Sequence, residues 1–162
     1  MRVARLANRA ASRGFNLILD QYASPEAIGE RIAIYRAERD ARELGFDPMQ
    51  VVVARQLYVA TNKADTEAAL ERQTRYTRRT ITVSQSPDRK TGSHVLAYAN
   101  QAGATEANAL FGKADEIGKK LEAVRKAGAE YVLLTASGGV DQLRRFTSDI
   151  MPSFAAPQVP RV

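Results

Sequence analysis

The chain has 162 residues, of which 44% are apolar, and a formal net charge of +6 at pH 7. This length suits one domain, and the apolar fraction supports a hydrophobic core and excludes wholesale disorder. The absence of cysteine excludes disulfides, thiolate metal sites and cysteine nucleophiles. No apolar run approaches the roughly 20 residues that cross a bilayer. We therefore expect a cytoplasmic protein without a membrane partner.

The first fifteen residues, MRVARLANRAASRGF, are rich in arginine and contain no acid. They lack the continuous apolar stretch of a secretory signal. An arginine-rich, acid-free start resembles a transit peptide, but an amphipathic helix that ends near Gly14 is the favoured interpretation. A strand is predicted next, over Phe15–Asp20.

Ser24 and Pro25 form a suitable N-cap and first-position pair for a second helix. Its buried face is predicted from one apolar stripe: Ile28, Ile32 and Tyr35. Gly45 is expected to end this helix, and Asp47-Pro48 to turn the chain into a second strand over Val51–Ala60. A third helix is predicted over Thr66–Arg79.

A basic cluster lies in the third predicted helix and consists of Arg72, Arg75, Arg78 and Arg79. A basic chain is able to bind polyanions by counterion release. The remaining basic residues, however, are interleaved with Asp and Glu. A solvated helix face or a subunit contact is therefore favoured over nucleic-acid binding.

Residues 80–109 form a polar segment without a clear period, which is too long for an ordinary connection. We expect a lid-like insertion or a poorly ordered segment within a single domain that spans residues 1–162. His94 lies in this segment. A solvent-facing loop histidine is favoured over a catalytic base or metal ligand, because no second histidine and no carboxylate cluster accompany it.

The last third of the chain, Leu110–Phe154, has the clearest pattern of helix, strand, turn and helix. Ile117, Leu121 and Val124 predict one apolar helix face, and Gly128 is a plausible left-handed residue after that helix. Tyr131–Thr135 is a short apolar run, typical of a strand covered on both faces. The apolar positions of the final helix, before Pro152, are Leu143, Phe146 and Ile150.

The turn Ser137-Gly138-Gly139 follows this strand and precedes the final helix. One interpretation is a backbone anion site at a helix N-terminus. The other, slightly favoured, is a tight turn that requires positive φ. Strands that alternate with helices indicate βαβ units and a parallel sheet, whose ligands bind at the carboxyl ends of the strands. Standard phosphate-loop, serine-hydrolase and zinc-protease motifs are absent from the sequence.

Four segments in the right order resemble the C-terminal half of the bacterial luciferase-like flavin monooxygenases. They are ARLANRAASRGFNLIL, VVVARQLYVATNKADTEAA, LFGKADEIGKKLEAVRKAGAEYVLL and FTSDIMPSF. Ala114 departs from the pattern, because the family usually has proline there. The resemblance implies an α/β fold: a partial (β/α)8 TIM-type barrel with about three βα units.

Such barrels have about 250 residues, so the resemblance implies that the chain starts just before the sixth strand. Three strands do not close a barrel, and an open parallel sheet exposes two unpaired edges. We therefore expect a homo-oligomer or a complementing chain. Much of the flavin site would lie in the other half of the barrel, so the isolated chain is expected to be inactive.

The family resemblance implies chemistry with reduced flavin and dioxygen on a small organic substrate, with FMN as cofactor and coenzyme F420 as the alternative. We expect cofactor contacts from the strand ends and substrate contacts from the loop after the first strand. The expected cofactor residues are Arg55, Gln56, Tyr58, Ser137, Gly138 and Gly139, and the expected substrate residues are Gln21 and Tyr22.

Two roles stay open for Arg55: an anion contact, if its face of the strand points into the barrel, or a buried structural ion pair. No residue is predicted as a general base. The alternative function is a non-catalytic partner subunit that binds flavin or phosphate.

Overall fold

The computed structural model describes residues 2–84 and 103–155. The helices are α1 (Arg2–Ser12), α2 (Pro25–Asp40), α3 (Lys63–Ser84), α4 (Ala104–Asn108), α5 (Ala114–Lys126) and α6 (Val140–Asp149). The strands are β1 (Leu17–Leu19), β2 (Val51–Val59), β3 (Leu110–Gly112) and β4 (Tyr131–Ala136). Within these two ranges, no helix has the length and apolar character that a bilayer span requires.

The four strands form one parallel sheet around β2. β1 pairs with residues 51–53 of β2, β3 pairs with residues 57–59, and β4 pairs with residues 52–57. Val53 of β2 is a bridge partner of both β1 and β4, and Leu57 of β2 is a bridge partner of both β3 and β4. Because a strand has two edges, β1 and β3 must follow one another along one edge of β2, with β4 along the other.

Alternate residues of β2 are buried beneath a helix layer. Val51 and Val53 belong to a cluster with residues of α1, α2 and α5, and Leu57 and Val59 belong to a second cluster with α5 and Ile150. The alternation follows from the pleat of the strand, which directs successive side chains to opposite faces. We call this side of the sheet the covered face.

The other side of the sheet, which we call the open face, carries Val52, Ala54, Gln56 and Tyr58 of β2, all half-buried. Register places Ile18 beside Val52 and Leu133 beside Ala54 on this face. Ile18 is 67% exposed and Leu133 is 47% exposed. The prediction that the last strand is covered on both faces is therefore wrong for this chain, since the apolar run of β4 has one open side.

The predicted start of α2 and the predicted end of α5 are confirmed, but the predicted end of α2 is wrong, because α2 ends at Asp40 and Gly45 lies in the loop beyond it. Ser24 Oγ accepts the Ala27 amide at 3.3 Å, with Pro25 at the first helical position. The predicted faces of α2 and α5 are buried, and Gly128 has a φ of +93°. In α6, the apolar position Leu143 is 41% exposed, and the neighbouring Gln142 is buried.

The segment after β2 differs most from the sequence expectation. α3 extends the predicted helix at both ends, to residues 63–84, so the irregular segment starts later than residue 80. α4 and β3 were not predicted and occupy its far end. Residues 85–102, including His94, lie outside the described residues. α3 packs Ala69 and Leu70 on Tyr58 and Phe111 at the sheet end, while α5 crosses the covered face.

Candidate functional site

The carboxyl end of β2 is held by the segment that follows β4. The Ser137 amide donates to the Leu57 carbonyl at 2.9 Å, which continues the ladder one residue beyond β4. The Val59 amide then donates to the side-chain oxygen of Gln142, and Arg145 donates to the Val59 carbonyl at 3.3 Å. Side chains of α6 thus replace the missing strand partner, which fixes the start of α6 against β2.

The Ser137-Gly138-Gly139 turn has the geometry that only glycine adopts readily. Gly138 has a φ of +107° and Gly139 a φ of +78°. A Cβ at residue 138 would lie 3.1 Å from Cγ of Gln142 and 3.7 Å from a ring carbon of Tyr58. The turn therefore approaches Tyr58 closely, and no described side chain caps α6. The structural interpretation of the turn is supported, and an anion at its amides stays a prediction.

Polar groups collect at one end of the open face. Gln56 lies beside Thr135 in the register of β2 and β4, and Tyr58 is two residues further along the same face of β2. The other end carries the apolar side chains of Ile18, Val52 and Leu133. The open face therefore changes from apolar to polar toward the carboxyl ends of its strands.

Tyr58 is fixed by residues of α3 and of the turn before it. Its hydroxyl donates to Asp65 at 2.8 Å, and the Arg72 guanidinium lies 5.4 Å from its ring centroid. The Thr61 amide also donates to Asp65, at 2.9 Å. These two hydrogen bonds, that of Thr61 first, lower the pKa of Asp65. Asp65 is therefore ionised near neutral pH and orients the phenol rather than supplying a proton.

Arg55 lies on the covered face, opposite to Gln56 and Tyr58. It is 1% exposed. Its guanidinium donates to the carbonyls of Ala23 at 2.6 Å, Ala54 at 3.0 Å and Asp20 at 3.2 Å. Burial lowers its pKa and the nearby Asp20 raises it, but a guanidinium stays protonated in proteins. This placement supports the structural role for Arg55, with carbonyls as its hydrogen-bonding partners.

The contacts of Arg55 span the loop that carries Gln21 and Tyr22. Both residues are half-buried and follow β1 at the carboxyl end of the sheet. Asn108 donates to the Tyr22 carbonyl at 2.9 Å, which joins this loop to α4. Gln21 and Tyr22, which are predicted to bind substrate, therefore lie in a loop that Arg55 holds on one side and Asn108 on the other.

Lys120 of α5 holds the neighbouring segment in a similar way. Its ammonium donates to the carbonyls of Ala109 at 2.7 Å and Glu106 at 3.1 Å. Burial lowers the pKa of Lys120, and Glu116 opposes this. Arg55, which is buried, and Lys120, which is half-buried, therefore fix the backbone of both segments on this side of β2.

The structure brings together five predicted site residues: Gln56, Tyr58, Ser137, Gly138 and Gly139. Arg55 lies on the opposite face of β2 from these residues. Gln21 and Tyr22 lie beyond the edge of β2 that pairs with β1. The sequence did not indicate the roles of Asp65 and Gln142, and it indicated Arg72 only as part of a basic helix cluster, not as a neighbour of the Tyr58 ring. No cluster of three metal-ligating side chains occurs among the described residues.

Neither a protein-family model nor a curated protein matches this sequence. Solved structures match its fold. A monooxygenase from Streptomyces bottropensis is 18% identical, with a TM-score of 0.63 over 94% of this chain and 46% of that chain. An F420-dependent secondary alcohol dehydrogenase, in complex with an F420–acetone adduct, is 20% identical, with a TM-score of 0.65 over 94% and 47%.

A third match is the oxygenating constituent of 3,6-diketocamphane monooxygenase from Pseudomonas putida, in complex with FMN. It is 15% identical, with a TM-score of 0.64 over 93% of this chain and 46% of that chain. This chain thus spans about half the length of the structures that it matches. The predicted fold class is confirmed: the chain is α/β with a parallel sheet and corresponds to part of a (β/α)8 barrel.

Proposed function

We propose that this chain is the C-terminal part of a luciferase-like oxidoreductase, whose carboxyl-end polar groups form one wall of a flavin and substrate site. The observation that carries the proposal is the open face, where Gln56, Thr135 and Tyr58 meet the Gly138 turn at the carboxyl ends of parallel strands. In parallel α/β folds this end binds ligands. The matched structures include enzymes described with FMN and with F420.

The residues of this wall suit a planar ring with a polar rim. Ala54 and Leu133 offer apolar surface, and Gln56 offers an amide donor and an acceptor beside the Thr135 hydroxyl. The absence of a side chain at Gly138 lets the backbone of the turn approach Tyr58 closely, since a Cβ there would lie 3.7 Å from the tyrosine ring. These features fit one side of a flavin or deazaflavin.

In this proposal the chain binds and orients, and the cofactor performs the redox chemistry. Reduced FMN would supply electrons to dioxygen, whereas F420 would exchange a hydride with the substrate. Asp65 holds the Tyr58 phenol as a donor, so the phenol oxygen is left to accept a hydrogen bond from a ligand. The apolar part of the open face excludes water from the reacting groups. Gln21 and Tyr22 would contact a small organic substrate from the β1 side.

The open face covers only one side of a ligand, so the proposed site needs a second wall. A completing half-barrel, from a second copy or from another segment of the barrel, would supply it. We therefore expect the isolated chain to bind FMN weakly or not at all.

The test compares two proteins by FMN and F420 fluorescence titration. One is the isolated chain, and the other carries the first half of the Streptomyces monooxygenase fused before residue 2. The fusion is expected to bind one cofactor, and Gln56→Leu in the fusion is expected to weaken that binding about tenfold, the loss of one or two ligand hydrogen bonds. Leu143→Ala, which lies outside the open face, is the matched control.

Three outcomes separate the possibilities. Submicromolar binding of one flavin to the isolated chain would contradict the incomplete site and favour a self-sufficient flavin-binding subunit. A folded fusion that binds neither cofactor would contradict the oxidoreductase assignment. Equal losses of cofactor affinity for Gln56→Leu and Leu143→Ala would show that the open face is not part of the cofactor site.

A further inference from the structure

Strand β4 lies at an edge of the sheet, and the side of it that faces away from β2 is open. Among residues 2–84 and 103–155, no backbone hydrogen bond reaches that side of the strand. The strand contains neither a charged residue nor a proline, which are the features that commonly keep edge strands from pairing. The other edge is formed in part by β1, which is only three residues long. β4 therefore offers the longer and less protected edge.

The direction of the free backbone groups of β4 follows from its ladder with β2. The Ser137 amide donates to the Leu57 carbonyl at 2.9 Å. Backbone groups of successive residues point to opposite sides of a strand, so the odd-numbered residues of β4 also direct theirs to β2. The even-numbered residues direct their N–H and C=O groups to the free edge: Val132, Leu134 and Ala136.

The side chains of β4 add apolar surface next to this edge. On the open face, Tyr131 is 39% exposed and Leu133 is 47% exposed, and the exposed Thr135 follows them on the same face. A strand paired with β4 would satisfy the free backbone groups and cover part of this surface in one step.

We propose that the partner of this edge is β4 of a second copy, paired antiparallel about a two-fold axis at Leu134. Leu134 then lies opposite the partner's Leu134, and Val132 lies opposite the partner's Ala136. This register uses every outward N–H and C=O group of the strand, because outward residues meet outward residues at each hydrogen-bonded pair. An axis at Leu133 would place Ala136 opposite the partner's Glu130, which lies before the strand begins.

A second copy fits this edge because the edge is complementary to itself. Both strands carry outward groups at the same positions and neither carries a charge, so no like charges meet across the two-fold axis. Two-fold pairing through one shared surface is also the commonest arrangement of identical chains. The two sheets become one sheet, with both open faces on the same side.

The pairing has a consequence on the open face. In this register Leu133 lies opposite the partner's Thr135, and Thr135 lies opposite the partner's Leu133. The partner thus contributes an apolar side chain beside Thr135 in the proposed flavin wall. The pairing itself rests on the geometry of β4 and stands or falls separately from the proposed function.

The test places thiols on the open face, because the chain contains no cysteine of its own. Residue 133 and the partner's residue 135 form a pair without hydrogen bonds, with Cα atoms about 4.5 Å apart, a separation that a disulfide spans. A mixture of full-length Leu133→Cys and Thr135→Cys chains, mildly oxidised at tens of micromolar, is expected to give covalent dimer. Each variant alone should react at least about tenfold more slowly, because its thiols lie about 7–8 Å apart on the diagonal.

The control mixture replaces Leu133→Cys with Leu143→Cys, a similarly exposed position on α6. It is expected to cross-link no faster than Thr135→Cys alone. This comparison separates pairing through β4 from chance encounters between exposed thiols.

A second measurement removes an outward N–H group. The amide of Ala136 takes no part in the ladder with β2, and proline is tolerated at such edge positions. Ala136→Pro is therefore expected to keep the fold but to raise the dissociation constant of the dimer about tenfold or more, since each strand loses an interchain hydrogen bond. Sedimentation equilibrium measures this change. Ala136→Ser keeps the N–H group and is the matched control.

Several results would overturn the proposal. A monomeric native chain at tens of micromolar is one, and equal cross-linking of the test and control mixtures is another. Faster cross-linking of Leu133→Cys alone than of the test mixture would contradict the register. If β4 amides gain protection from hydrogen exchange only when the first half of the Streptomyces monooxygenase is added, the edge belongs to a barrel-completing strand instead. If Ala136→Pro fails to fold, the cross-linking result still decides.

Discussion

The two faces of β2 use polar residues in opposite ways. On the covered face, Arg55 is enclosed among apolar neighbours and directs its donors to the backbone of the β1–α2 loop. On the open face, Gln56 and Tyr58 are half-buried and stand at the end of an apolar surface. Adjacent residues of one strand therefore lie in different settings, since Arg55 donates to the backbone behind the sheet and its neighbours Gln56 and Tyr58 lie on the side of the proposed site.

This difference teaches that residue type alone does not identify a contact residue. Arginine is the commonest choice for binding an anionic ligand, and Arg55 is the only charged residue of β2. Arg55 nevertheless faces the helix layer, because it lies on the same face of β2 as Val53 and Leu57. Substitutions on the two faces are therefore expected to change different properties.

The largest effect is expected for Arg55→Met. Methionine fills a similar volume but leaves the carbonyls of Asp20 and Ala23 without their donor in a buried setting. We expect a loss of about 3 kcal/mol in the free energy of unfolding, measured by urea denaturation. Gln56→Met, on the open face, is the matched control and is expected to cost less than about 1 kcal/mol. Equal costs would abolish the proposed distinction between the faces.

The second-largest loss of stability is expected for a substitution in the Ser137-Gly138-Gly139 turn, at the carboxyl end of the sheet. Gly138→Val places a β-branched residue at a φ of +107°, with its Cβ close to Gln142. We expect a loss of about 1–2 kcal/mol in stability. Gly118→Ala is the control, because that Cβ meets no atom within 4 Å, and it is expected to stabilise α5 by up to about 1 kcal/mol.

Flavin affinity of the same variants in the barrel-completing fusion separates two roles of the turn. Loss of stability with unchanged affinity would leave a structural turn alone. Loss of affinity with little change in melting temperature would support a backbone contact to the cofactor. No change in either quantity would contradict both roles.

Local signals in the sequence predicted much of the fold. Ser24-Pro25 predicted the start of α2, the stripe from Ile117 to Val124 predicted the buried face of α5, and the run from residue 51 predicted β2 nearly to its ends. These features depend on short-range spacing and capping, which one sequence displays directly. β3 was missed because three residues of strand, Leu110–Gly112, have too little pattern to stand out.

The candidate site was predicted less completely because it depends on long-range placement. Register with β4 puts Thr135 beside Gln56, and the buried side chain of Gln142 reaches Val59 across 83 positions of sequence. Neither contact leaves a local pattern. The sequence also left open which face of β2 carries Arg55. The first residues of VVVARQLYV are apolar on both faces of the strand, so the buried face is decided by the side on which the helices pack.

A smaller effect is expected for Tyr58→Phe, which removes the hydroxyl that donates to Asp65. The pKa of Asp65 is depressed in the folded chain, so its hydrogen bonds stabilise the fold above the ordinary carboxyl pKa. This contribution is lost as the pH falls through the depressed pKa. We expect Tyr58→Phe to cost about 0.5–1 kcal/mol at pH 7, given the partial exposure of the pair, and less at acidic pH.

Urea denaturation at pH 7 and pH 3 measures this difference. Tyr76→Phe is the control, because Tyr76 lies on the same helix and is 65% exposed; it is expected to change stability at neither pH. A cost for Tyr58→Phe that is the same at both pH values would show that the ionised carboxylate of Asp65 does not hold the phenol.

The smallest change in stability is expected on the open face itself. Leu133 is 47% exposed on an edge strand, so Leu133→Lys is expected to change the free energy of unfolding by less than about 0.5 kcal/mol. Its effect is expected in association, because an apolar sheet face and a free strand edge favour contacts between chains and lysine opposes them. Light scattering at tens of micromolar should find dimers or larger species for the native chain and a shift toward monomer for Leu133→Lys. Leu143→Lys, a similarly exposed leucine on α6, should leave the distribution unchanged. A stable native monomer at that concentration would contradict the role given to the open face, and equal shifts for both lysine variants would attribute association to net charge instead.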